Sequence, residues 1–90
     1  MIIAIDHKLR IRGTETCWQL ERLKKIKGEI VWKPYKYFTT VDSALHSAAQ
    51  RELRLDPAQT VAEALDACVR VTHKYAQIFD DVGQRTKAAA

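Results

Sequence analysis

The sequence predicts an α+β fold, a small antiparallel sheet of about four strands followed by two α-helices packed on one face of it. Two observations predict this. Residues 1–38 alternate apolar and polar side chains and are rich in β-branched and aromatic types, as half-buried strands are. Residues 41–80 instead repeat their apolar side chains every three or four positions, as amphipathic helices do. All the strands precede all the helices, so an antiparallel meander is expected rather than parallel strands with helical crossovers.

The first strand is read from Ile3 and Ile5 flanking Ala4, with Asp6-His7 as a tight turn. Lys8-Leu9-Arg10-Ile11-Arg12 is a strict basic/apolar alternation, which points Leu9 and Ile11 inward. Gly13-Thr14 ends it. Residues 16–27 are open to two readings. Trp18 and Leu20 alternate as on a strand, while Leu20 and Leu23 are spaced as on a helix. Lys27-Gly28 suits a hairpin turn or a helix C-cap. The preferred reading is a strand pair, residues 17–26 with residues 29–38, the second carrying Ile30, Val31, Trp32, Tyr35, Tyr37 and Phe38. Pro34 has no amide donor, so this strand is expected at an edge or bulged there.

Thr39 or Thr40 caps the first helix, whose stripe is Val41, Ala44, Leu45, Ala48 and Ala49, ending near Leu53. Asp56-Pro57 breaks the chain. Thr60-Val61-Ala62-Glu63 is a capping box. Val61, Leu65, Cys68, Val69, Thr72, Ala76 and Phe79 then form the expected inward stripe of a second helix ending near Asp80. Ninety residues suit one domain, expected over 1–82. Residues 83–90 are expected to be a flexible tail, and Lys87-Ala88-Ala89-Ala90 reads as a cloning junction.

Composition narrows the function. With 47% hydrophobic and 29% charged residues the chain should fold. Asp6-His7-Lys8 interrupts the apolar N-terminus, so neither a signal peptide nor a membrane span is expected. Two distant cysteines, Cys17 and Cys68, read as reduced, buried thiols of a cytoplasmic protein. No phosphate-binding glycine loop or zinc spacing occurs, and His7, His46 and His73 are scattered, so no metal or other cofactor is expected. Cys68 with His46 lacks an orienting third group, and Glu63 with Asp66 reads as a solvated helix face. The expectation is a protein that is not an enzyme.

Charge is uneven. Residues 1–38 hold nine basic and four acidic groups, and residues 39–90 hold six and seven. With Leu9 and Ile11 inward, Lys8, Arg10 and Arg12 share the opposite face. Arg22, Lys24, Lys25 and Lys27 cluster toward a hairpin tip, and Lys33, Tyr35 and Lys36 follow on the next strand. These ten residues are the candidate partner-binding set, suited to a polyanion or an acidic protein surface. The competing reading is a solvated sheet face whose lysines discourage aggregation. Trp18 and Trp32 are read as core rather than contact residues.

The order of motifs resembles small proteins of unassigned function encoded by tailed phages and prophages. The shared features are the short strand Met1-Ile2-Ile3-Ala4-Ile5-Asp6, the strand from Lys8 to Arg12, and the Trp-bearing hairpin from Trp18 to Trp32. Tyr37-Phe38-Thr39-Thr40 then leads into a helix ending Arg51-Glu52-Leu53-Arg54, followed by a capped second helix. The resemblance spans about residues 1–80 and transfers no catalytic residue. It implies a phage-type protein in a bacterial host cytoplasm, binding a host protein or nucleoprotein complex stoichiometrically, as an anti-CRISPR-like inhibitor does. The basic charge argues against DNA mimicry and favours occlusion. The alternative is a small nucleic-acid-binding module using the basic sheet. A homodimer, through the edge strand near Pro34 or the second helix, is a further possibility.

Overall fold

The computed structural model describes residues 1–89, with side chains through Arg85; Ala90 lies outside the described residues. It contains a four-stranded antiparallel sheet in the order β1-β2-β3-β4, followed by helices α1 and α2. The strands are β1 (Ile2–Ala4), β2 (Leu9–Gly13), β3 (Trp18–Ile26) and β4 (Glu29–Phe38). The helices are α1 (Val41–Arg54) and α2 (Val61–Ala89). Two compact units divide the chain, Met1–Ala44 and the part from Leu45 onward.

In the first unit local chemistry explains each connection. Asp6 accepts a 2.7 Å bond from the Lys8 amide, closing the turn between β1 and β2. Thr14 Oγ1 accepts from the Cys17 amide at 3.2 Å and donates to the Cys17 carbonyl at 3.0 Å, fixing the next turn. The β3–β4 connection resolves the ambiguity at residues 16–27 in favour of a hairpin. Ile26 pairs with Glu29 around a two-residue turn, and both turn residues have positive φ, 50° at Lys27 and 83° at Gly28. That is the mirror-image turn whose twist matches paired strands, and Gly28 enters it without Cβ strain. Pro34 lies on an edge strand and beside a bulge. Leu20 pairs with Lys36 and Glu21 with Pro34, which leaves Tyr35 as the extra residue.

Period-two alternation sorts the side chains. Ile3 pairs with Ile11 and Ile11 with Leu20, so these share one face with Leu9. Ile3, Ile5, Leu9, Ile11 and Leu20 are all buried. Gly13 pairs with Trp18, and a Cβ built on Gly13 would come 3.0 Å from the Trp18 ring, so the ring lies where any larger residue would stand.

In the second unit Thr60 caps α2. Its hydroxyl accepts from the Glu63 amide at 3.2 Å and donates to the Glu63 carboxylate at 3.0 Å. Thr40, not Thr39, caps α1 by accepting from the Ser43 amide at 3.2 Å. Asp56 accepts from the Ala58 amide across Pro57, turning the chain between the helices. Glu52 of α1 accepts from Lys74 Nζ at 2.7 Å and from the Tyr75 hydroxyl at 3.3 Å, and Asp56 pairs with Arg70 at 3.2 Å.

Three expectations are corrected here. The inward face of α2 is Ala67, Val71, Tyr75 and Val82, while the stripe expected inward is exposed. The helix carries two apolar stripes, and the ties from Glu52 turn the Tyr75 side toward α1. Cys68 belongs to the outer stripe and is exposed rather than buried; Cys17 is half-buried, and both thiols are free. Finally, α2 continues through Gly83 to Ala89 instead of ending near Asp80. One glycine costs a helix only ~1 kcal/mol, and no proline follows to stop it.

Candidate functional site

The β3–β4 hairpin outgrows the rest of the sheet. Strand β2 pairs with β3 only from Gly13–Trp18 to Leu9–Arg22. One further tie follows, from the Leu23 amide to the Lys8 carbonyl at 2.9 Å. Beyond it the pairs Lys24–Val31, Lys25–Ile30 and Ile26–Glu29 have no third strand beside them. With the turn they make a two-stranded arm projecting about 10 Å at ~3.3 Å per residue.

The arm and its base are strongly basic. Residues 22–33 hold five basic groups (Arg22, Lys24, Lys25, Lys27, Lys33) and one acidic group (Glu29). Their net charge of +4 equals that of the entire chain. All six side chains are exposed. Apolar groups lie among them. Ile26 is 38% and Ile30 68% exposed. A shallow groove of about 460 Å³ is lined by Ile26, Val31, Trp32 and Pro34, with Lys27, Glu29 and Lys33 around them. Ile26 is absent from the ten sequence-predicted residues; its signal is an isoleucine beside a two-residue turn, where strands normally place polar groups.

The ten sequence-predicted residues do not share a face. Lys8, Arg10, Arg12 and Lys25 lie on the side opposite Leu9 and Ile11, by alternation and pairing register. Arg22, paired with Leu9, lies on the other side with Lys24 and Lys33. The bulge brings Lys36 to that side too, opposite Leu20. Lys27 is in the turn itself.

Two arginines are occupied by neighbours. Arg10 Nε donates to Glu21 Oε1 at 2.7 Å, and its guanidinium lies 4.4 Å from the centre of the Trp32 ring. Among the described residues Glu21 is the one charged residue that is buried, at 2% exposure. It sits directly across from Arg10 in the register, which puts the ion pair on the face opposite Leu9 and Ile11. Arg22 stacks 5.0 Å from the Tyr35 ring centre. Tyr35 is half-buried, and its enclosed hydroxyl has no hydrogen-bond partner among the described residues. These contacts give Arg10 and Trp32 a structural role at the arm's base, whereas Lys24, Lys25 and Lys27 stand clear at its end.

Among the described residues no three His, Cys, Asp or Glu side chains are grouped so as to hold a metal ion. None of the helices described is long and apolar enough to cross a membrane. No family model, curated protein or solved structure matches the chain.

Proposed function

We propose that this chain is a non-enzymatic, phage-type interaction protein that binds a host protein through the basic β3–β4 arm. It would act stoichiometrically in the bacterial cytoplasm, as an inhibitor of a defence complex that works by covering a surface. The observation that carries the reading is the projecting arm with its base, residues 22–33, which concentrates charge equal to the whole chain's net +4 in twelve residues and mixes it with exposed Ile26 and Ile30. A cationic ribbon with apolar contacts suits an acidic protein surface that also presents an apolar knob. Charge would steer the encounter and the apolar contacts would hold it.

A second reading rests on the ribbon's dimensions. Two-stranded β-ribbons fit the major groove of duplex DNA, and lysines on both faces could reach both walls. Capture by the tagged chain from a bacterial lysate, with and without nuclease, separates the two. A stoichiometric protein band that survives nuclease is expected. Nucleic acid alone, lost on nuclease treatment and binding with a steep inverse salt dependence, would replace the first reading by the second.

A further inference from the structure

Helix α2 has three faces, each about a third of its circumference at 100° per residue. One holds the buried Ala67, Val71, Tyr75 and Val82. A second is polar, with Glu63, Asp66, Arg70, His73 and Gln77. The third is apolar yet open. Ala62, Leu65, Val69, Thr72, Ala76 and Phe79 follow one another at spacings of three, four, three, four and three, and all are exposed. Leu65 is 61%, Val69 65% and Phe79 51% exposed. A helix facing water on that side has no use for such a seam, whereas alternating three–four spacing is how paired helices meet.

We propose that this seam is a self-association surface, on which α2 of a second copy of the chain packs antiparallel about a two-fold axis. Size complementarity selects the occupant and the direction. In an antiparallel pair centred between Arg70 and Val71, Ala62 lies opposite the second copy's Phe79, Leu65 opposite its Ala76, and Val69 opposite its Thr72. The two-fold repeats each match, so the outer layers set a large side chain against a small one and the central layer pairs the near-isosteric Val69 and Thr72. A parallel pair would instead oppose Phe79 to Phe79 and Ala76 to Ala76, giving crowding in one layer and a void in another. Hydrogen bonding agrees with the antiparallel choice, since the same register places the acceptor Asp66 of each copy beside the imidazole of the second copy's His73. The exposed apolar surface of the seam and the adjoining Val61 and Cys68 would bury roughly 500–600 Å² per chain, about the ~1,000 Å² total that a specific interface needs. A reversible dimer is therefore expected.

Sedimentation equilibrium from roughly 1 to 100 μM tests this. The weight-average mass should rise from 10.3 kDa toward twice that value. Leu65→Glu and Val69→Glu should hold it at the monomer value with an unchanged circular dichroism spectrum, because both side chains are exposed in the single chain. In a background with both native cysteines changed to serine, Leu65→Cys and Ala76→Cys chains should form a disulfide-linked pair when mixed with dissolved oxygen as the oxidant, and neither should do so alone. A monomer at every concentration would overturn the proposal. So would a dimer that Leu65→Glu and Val69→Glu leave intact, or a Leu65→Cys chain that crosslinks to itself. Loss of a host partner in these variants, with the wild-type mass already monomeric, would assign the seam to another protein instead. Charge reversal in the β3–β4 arm should leave the dimer unaffected, which keeps this test separate from that of the arm.

Discussion

The Arg10–Glu21 pair joins β2 to β3 through a buried carboxylate. Glu21 is 2% exposed, and Arg10 Nε donates to its carboxylate at 2.7 Å. Arg10→Ala should destabilise the protein by about 3 kcal/mol, because it leaves a buried carboxylate uncompensated. Urea unfolding measures this; a loss below ~1 kcal/mol would mean that the pair is solvated and counts as a surface contact. Lys25→Ala, on the same face of the arm, should change stability by no more than ~0.5 kcal/mol. Pairings of this kind were only half legible in the sequence. Alternation places Arg10 opposite Leu9 and Ile11, but the partner comes from a register eleven residues away, which no local pattern specifies. The face of Arg22 and Lys24 was readable by counting in twos from Leu20. That of Lys36 was not, because the bulge at Tyr35 resets the phase of β4.

Element boundaries followed the sequence closely where punctuation is local. Thr40 and Thr60 as caps, Lys27-Gly28 as a turn and Pro34 at an edge each depend on one residue's own chemistry. Gly28 is the sharpest of these, since its φ of 83° is costly for any residue with a Cβ. Gly28→Ala should therefore cost about 1 kcal/mol although nothing lies within 4 Å of the added methyl. Thr60→Ala should cost a similar ~1 kcal/mol by removing the α2 cap. Thermal unfolding of each variant checks both values, and an unchanged midpoint for Gly28→Ala would mean that the turn adopts another geometry. The facing of α2 was not legible, and the reason is physical. A helix with two apolar stripes offers two amphipathic solutions, and composition alone does not choose between them. The choice falls to Glu52, whose bonds to Lys74 and Tyr75 fix the inward face.

For the molecule as a whole, charge separates the two units. Met1–Ala44 carries nine basic and five acidic groups, and the rest of the chain carries six of each. The net charge thus resides with the sheet unit, and within it the arm and its base, residues 22–33, account for a surplus of the same size. Such a distribution suits a protein that recognises through one element, and it makes the arm separable from the fold by mutation. Lys24, Lys25 and Lys27 have no ion pair within the described residues, so reversing them removes three contacts with a partner and none that holds the sheet. The decisive measurement uses the wild-type chain and the Lys24→Glu/Lys25→Glu/Lys27→Glu variant as parallel baits in nuclease-treated bacterial lysate. Both should share one unfolding midpoint within a few degrees. The wild type should retain a stoichiometric host protein, and the variant should lose it at least tenfold. Equal retention by both baits would contradict the arm as the binding element.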